Sequence, residues 1–263
     1  MVYAGVLNAD SKESRELIKV CSKRLKICQM NVTDVEQVNN VVEMIKSHNK
    51  PLWAVINNAG IAYSCPFDWG ADVSHFEKTL SVNLFGAIRV TKCCVNLLRQ
   101  SKGRVINIGS MAGRMALPMM SSYNISKYAL RAFNDTIRRE LNCYKVRTIL
   151  IEPTFYQTAI VNSENLKNNA IKFFNESSEE TKLLYGTIFD KLSTISDKSV
   201  YQLHNNINQV VDKMKNAVIL KNPNIYYKCS KIYLLPLMNI IPYIPEKILD
   251  TVIKYSYKSS ILS

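Results

Sequence analysis

The chain has 263 residues, 47% of them hydrophobic and 21% charged, enough for one large domain or two small ones. That composition excludes a disordered or collagen-like chain, and the absence of any run of about 18 apolar residues excludes a simple bilayer span. Lys and Arg number 34 against 21 Asp and Glu, and the net charge of +13 admits anionic ligands, anionic membranes or nucleic acid as partners.

In chain order, short apolar runs predict strands at Val2–Leu7, Lys26–Met30, Leu52–Ile56, Arg104–Ile108 and Val146–Ile151. Helical spacing fills the intervals at about 10–20, 34–47, 72–100 and 122–143. In the second of these, Thr33 and Asp34 offer caps ahead of a stripe formed by Val35, Val38, Val41, Val42 and Ile45. Strands alternating with helices, each strand continuously apolar, predict a doubly wound α/β domain with a parallel sheet. Residues 158–217 are polar with helical spacing and read as a lid. Residues 218–263 read as an apolar and basic C-terminal extension. Its stretch Ile232–Ile244 is broken by Pro236 and Pro242, so it suits a membrane interface or packing on its own domain.

Seven cysteines without C-x-x-C spacing, and three histidines, leave little material for a metal site. No metal is expected, and reduced thiols suit an intracellular protein. An opening that meets Asn8 and Asp10 without a basic region is not a secretory signal. The lysines are spread without aromatic interleaving, so nucleic acid is not an expected partner.

Tyr123 and Lys127 stand four residues apart in a proline-free helical stretch, which puts them on one face. A fixed cation beside a phenol favours the phenolate, and a depression of about 3 units from an ordinary pKa of about 10 would suit proton transfer at neutral pH. About one Tyr-x-x-x-Lys pair is expected by chance. Three occur; of the others, Tyr227/Lys231 and Tyr243/Lys247, the second has prolines flanking Tyr243 that spoil a helical register. Ser110 follows the Arg104–Ile108 strand and Asn57-Asn58-Ala59-Gly60 ends the strand before it, so both loops open on the carboxyl edge where ligands meet parallel sheets. Asn83 lies inside a long predicted helix, where the bland reading is a solvated residue.

The order Asn57-Asn58-Ala59-Gly60, Asn83, Ser110, Tyr123-x-x-x-Lys127 resembles the short-chain dehydrogenase/reductases over nearly the whole chain. Three stretches, Val2–Leu7, Gly103–Arg114 and Ile151–Thr158, are most similar to the branch of retinol, hydroxysteroid and D-3-hydroxybutyrate dehydrogenases. The resemblance implies a Rossmann-like sheet and an NAD- or NADP-dependent oxidoreductase that interconverts an alcohol and a ketone or aldehyde on an apolar substrate. Tyr123 would be the acid/base, Lys127 would tune it and bind the nicotinamide ribose, Ser110 would hold the substrate oxygen and Asn83 would anchor a relay water. Asn31, Asn57, Ala59 and Gly60 would line the adenosine side, with Pro153 and Thr158 at the nicotinamide. Met111, Met115, Leu117, Met119, Met120, Phe155 and Tyr156 would form an apolar wall, or simply core. The resemblance also implies a homodimer through the helices at 72–100 and 122–143. Peripheral membrane contact is expected through the C-terminal segment, at the endoplasmic reticulum or alternatively in mitochondria.

Three departures from the family pattern stand out. Asn31 replaces an Asp, and Thr154 replaces a Gly after Pro153. The glycine-rich loop Thr-Gly-x-x-x-Gly-x-Gly has no match among the eight glycines, and Val2–Leu7 resembles the family's second strand. The expectation is an N-terminally truncated single domain of residues 1–263, with residues 1–157 as core sheet. A non-catalytic relative acting through dimerisation or membrane association is the alternative.

Overall fold

The computed structural model describes residues 1–158, 160, 163–194, 205–231, 233 and 235–258. β1 (Val2–Val6) pairs with β2 (Leu25–Gln29), and β3 (Ala54–Asn57), β4 (Arg104–Ile108), β5 (Arg147–Pro153) and β6 (Tyr226–Cys229) pair in that order. Every pairing is parallel. Parallel neighbours need crossovers, and α1 (Lys12–Val20), α2 (Val35–Ser47), α3 (Ser74–Leu80), α4 (Ala87–Ser101) and α5 (Ser121–Glu140) supply them. Between β5 and β6 lie α6 (Ser163–Glu176), α7 (Glu179–Thr194) and α8 (Asn208–Ile219); α9 (Leu235–Ile240) and α10 (Glu246–Lys258) follow β6.

The expected doubly wound α/β arrangement is present, divided into two parallel sheets. No strand among the described residues joins β1 to β3. Side chains alternate across β4, so Ile106 packs with Ile149, Ile151, Val210 and Ala217 on one face. On the other, Val105 packs with Val55, Cys94, Leu98 and Leu141. Both faces are covered, which is why these strands read as continuous apolar runs.

α2 forms as its sequence dictates. The Asp34 carboxylate accepts from the backbone N–H groups of Glu36 and Gln37 at 2.9 and 3.1 Å, and these bonds hold its pKa below the usual carboxylate range. Val38, Val41, Val42 and Ile45 are its buried stripe.

Two elements differ in kind from what the sequence predicts. The helix expected at 72–100 is interrupted by a six-residue π-helix, Ser81–Gly86, between α3 and α4. β6 has no counterpart among the predicted strands: it has four residues, and its alternation of half-buried Tyr226 and Lys228 with buried Tyr227 and Cys229 is too short to register as a period. Tyr227 therefore lies on a strand, so Tyr227/Lys231 is no helical pair.

The lid region is helical where it is described; residues 159, 161, 162 and 195–204 of it lie outside the described residues, as do 232, 234 and 259–263 of the C-terminal extension. In the lid, α6 and α7 are fastened to the loop after β3 by aromatics. Trp69, 1% exposed, has its ring centroid 5.0 Å from Phe174, which stacks at 4.0 Å on Phe189. Gly70 takes φ +100°, where a side chain would be strained, and its N–H donates to the Phe173 carbonyl at 3.0 Å and the Ser177 hydroxyl at 2.9 Å.

Candidate active site

Ser110 stands just past the carboxyl end of β4 and caps a single 3-10 turn, Met111–Gly113, its hydroxyl accepting from the Ala112 N–H at 3.1 Å. A Cβ on Gly113 would lie 2.7 Å from the Lys127 carbonyl oxygen, so glycine is what lets this turn press onto α5. That approach brings the Ser110 hydroxyl into a hydrogen bond with Tyr123, which lies in the first turn of α5. Lys127, one turn on, is buried. Its Nζ lies 5.5 Å from the Tyr123 ring centroid and donates to the Ile108 carbonyl at 2.8 Å.

The electrostatics differ from the sequence expectation. Burial, not the lysine, dominates the Tyr123 phenol and raises its pKa, with the Ser110 hydrogen bond pulling the other way. Burial likewise pulls Lys127 down from 10.5 to about 8. Lys127 is buried and Tyr123 half-buried, and the ammonium directs a hydrogen to a backbone carbonyl. Folded Lys127 therefore sheds its proton near pH 8 while the unfolded chain holds it to about 10.5. Between those values the unfolded state binds more protons, so this residue makes stability rise with pH across the window. Urea unfolding across that range should show such a rise in the wild type relative to Lys127→Met; parallel pH curves for the two would refute it.

Asn83 belongs to the π-helix and is 1% exposed rather than solvated. Its amide donates to the Ile61 carbonyl and the Ser126 hydroxyl, both at 2.9 Å, and its Oδ1 accepts from the Ile61 N–H at 2.8 Å. Both amide hydrogens are spent, so any water here would bond to an oxygen of Asn83. Gly60 lies where these groups meet: a Cβ there would be 3.4 Å from Asn83 Oδ1 and 3.8 Å from Lys127 Nζ. The π-helix, a single widened turn, is a feature frequent at functional sites.

The remaining candidates are placed unevenly. Asn57 is buried and donates to Thr91 at 3.0 Å and to Asn107 at 2.8 Å, so its side chain braces β3 against α4 and β4. Asn31 uses its Oδ1 on the Thr33 N–H and hydroxyl, at 3.0 and 2.8 Å, which shapes the turn into α2. Ala59 is exposed in the loop before Gly60, Pro153 ends β5, and Thr158 is exposed, with a 3.4 Å bond to the Tyr156 carbonyl. Thr154 is not among the residues with positive φ and donates its N–H to the Cys229 carbonyl at 2.9 Å, so it carries no left-handed strain. Tyr156 packs into the core with Ile106 and Ile151 and donates to Gln209, which makes it core rather than wall.

Sequence reasoning misses two polar clusters that support this site. Asn107, fully buried, donates to Asn134 of α5 at 3.0 Å and continues the chain that starts at Thr91. An Asn inside the apolar run Val-Ile-Asn-Ile is the available signal, since a buried amide must find partners. Glu152, 1% exposed, receives a two-pronged ion pair from Arg114, both arms 2.8 Å, and a third contact from Arg131 at 2.6 Å. Arg114 directly follows Gly113, so this pairing ties the Ser110 turn to β5 and α5.

Among the described residues no group of His, Cys, Asp and Glu is arranged to hold a metal, and no helix is long and apolar enough to cross a membrane. A sequence profile described as short chain dehydrogenase matches residues 2–169. Estradiol 17-beta-dehydrogenase 2 of Mus musculus is 33% identical over 261 residues, which is 97% of this chain and 68% of that protein. Retinol dehydrogenase 7 of Rattus norvegicus is 34% identical, covering 92% of this chain and 77% of that protein. The mitochondrial D-beta-hydroxybutyrate dehydrogenase of Rattus norvegicus is 31% identical, over 96% and 76%. A short chain dehydrogenase from Burkholderia cenocepacia J2315, solved with NADP, superposes with a TM-score of 0.69 at 20% identity, covering 95% of this chain and 85% of that one, which bears on fold alone. Likeness that runs almost end to end, to proteins sharing a third of its residues, makes this chain a member of the short-chain dehydrogenase family.

Proposed function

We propose that the protein is an NAD(P)-dependent oxidoreductase interconverting an alcohol and a carbonyl on an apolar substrate of retinoid, steroid or hydroxy-acid type. The observation that carries this reading is the convergence of half-buried Ser110 and Tyr123 with buried Lys127 at the carboxyl edge of β4. The residues fit the ribose end of a nicotinamide nucleotide: Lys127 has three N–H donors and spends one on Ile108, leaving donors for a ribose diol. The described elements supply no glycine-rich cradle for a pyrophosphate. When bound, the nicotinamide supplies the hydride chemistry.

The chain's own part is positioning and proton transfer. Ser110 donates a hydrogen bond to the substrate oxygen, and Tyr123 gives that oxygen a proton during reduction or takes one during oxidation. Burial keeps the phenol protonated at neutral pH, so the resting site is set as a proton donor and oxidation speeds up as pH rises. Asn83, braced by Ile61 and Ser126, would hold a relay water through its oxygens.

The first assay is of the protein with its native N-terminus, following nicotinamide absorbance with retinol, estradiol and 3-hydroxybutyrate and with both nucleotides. Turnover of an apolar alcohol is expected; binding of neither nucleotide and no turnover would sink the reading and favour a non-catalytic relative. Membrane contact belongs to the same proposal. α10 leaves Ile248, Tyr255 and Val252 exposed along one stripe beside Lys247 and Lys254, a pattern suited to an anionic lipid surface. The proposed homodimer would use α4 and α5, the latter exposing Ile125 and Tyr128.

A further inference from the structure

The opposite edge of the four-stranded sheet carries a second concentration of unusual residues. A cleft of about 920 Å³ opens there, at the start of the strands. Lys102 and Arg104 enter it from the beginning of β4, and Lys145 and Arg147 from the beginning of β5. Arg138 and Arg139 enter from the last turn of α5, and Lys221 from the connection between α8 and β6. Among the described residues no Asp or Glu lines it.

The partners of these cations are mostly neutral. Arg104, 2% exposed, donates to the Ala217 and Leu220 carbonyls at 2.6 and 3.1 Å, and Arg147 donates to the Lys221 carbonyl and the Asn222 amide oxygen. Arg138 lies 3.8 Å from Asp135, whose carboxylate also accepts from the Tyr226 hydroxyl at 2.6 Å. Helix ends account for part of this arrangement, since Lys102 and Lys145 follow helical carboxyl termini where cations are favourable. They do not account for the rest. Among the described residues, the buried Arg104 Nε and Thr148 Oγ1 have no hydrogen-bond partner, and Arg138 Nε has only the longer Asp135 contact. Burial and the neighbouring Arg147 press the Arg104 guanidinium below its ordinary range, so like charge is held close where β4 and β5 start side by side.

We propose that this cleft binds a multiply phosphorylated ligand, on the edge of the sheet opposite the candidate active site. Guanidinium forks match phosphate oxygens, and a cleft of this volume lies within the range of small-molecule sites, about 300–1,000 Å³. Several phosphates would neutralise the exposed cations clustered there, Lys102, Arg139, Lys145, Arg147 and Lys221. The strands run five or so residues between the two edges, about 16 Å, so the ligand would not overlap the candidate catalytic residues.

Trp53 lines the cleft, with Arg104 4.6 Å from its ring centroid, whereas Trp69, the second tryptophan, is buried against the lid. Trp53 fluorescence therefore reports the site, with Trp53→Phe as the control. The probes are tripolyphosphate and inositol hexakisphosphate in solution, and phosphatidylcholine vesicles with and without phosphatidylinositol bisphosphate. The variant removes three exposed cations together, Arg139→Gln, Lys145→Gln and Arg147→Gln; its thermal midpoint and basal turnover should match the wild type.

A saturable fluorescence change with the soluble probes, weakened about tenfold or more in the variant and by added salt, is expected for a free ligand. A change seen only with the bisphosphate vesicles, and lost in the variant, identifies a lipid headgroup as the source. Equal binding by wild type and variant would place the anion elsewhere and overturn the proposal. So would no binding of any probe, or binding of single-stranded RNA alone.

Discussion

Tyr123→Phe is expected to lower turnover about 100- to 10,000-fold, the range for removing a positioned proton-transfer group. The substitution deletes one oxygen and keeps the ring, so packing around α5 should survive. That oxygen bonds to Ser110 on a half-buried side chain whose burial raises its pKa. A single hydrogen bond of this kind contributes about 1 kcal/mol to stability, and burying a phenol costs a similar amount, so the thermal midpoint should change little. Steady-state kinetics at saturating substrate, beside a melting curve, separate the two quantities. A variant that keeps more than a tenth of wild-type turnover would remove Tyr123 from the chemistry. A variant that loses turnover together with its fold would leave only a structural role for the hydroxyl.

The second large effect concerns Glu152. Replacing it by alanine leaves the Arg114 and Arg131 guanidiniums facing each other with Lys228 nearby and no anion between them. Breaking a buried pair from one side costs about 3–5 kcal/mol. For a chain of this size each kcal/mol is worth roughly 2–4 °C, so Glu152→Ala should melt about 6–20 °C below the wild type. Glu152→Gln keeps the shape and part of the hydrogen bonding, and should fall between. Because Arg114 follows the Ser110 turn directly, surviving Glu152→Gln protein should also lose kcat more than it raises KM. An alanine variant as stable as wild type would mean the two arginines find other partners.

Much of this architecture is legible in the order of the residues. The stripe Val38, Val41, Val42, Ile45 behind the Asp34 cap, and the apolar run Arg104–Ile108, are local patterns, and they form the elements they predict. Tyr123 and Lys127 can be paired from spacing alone because a helix fixes which residues share a face. The π-helix around Asn83 cannot be read that way. Nothing in its sequence, Ser-Val-Asn-Leu-Phe-Gly, marks a widened turn, and the Asn83 amide there pairs with Ile61 and Ser126 from elsewhere in the chain. Asn57 reads as a ligand residue in the sequence, yet its partners across β4 and α4 make it a brace.

The direction of the titrations also escapes the sequence. Spacing says that a lysine lies near a phenol; it does not say how much water remains around either. Desolvation is a property of everything packed on the pair, and here it is the largest influence on each. The basic cleft has the same origin. Lys102, Arg104, Arg139, Lys145, Arg147 and Lys221 are scattered over some 120 positions, unremarkable within a net charge of +13. Parallel pairing starts β4 and β5 side by side, and only that register gathers their first residues into one place. Sequence alone thus determined the class of fold, the helical faces and the order of the chemical groups, because these depend on neighbours within a few residues. Tertiary structure alone decided which polar groups are buried, which of them brace and which can react, and where charge accumulates, because each depends on segments distant in the chain meeting without water between them.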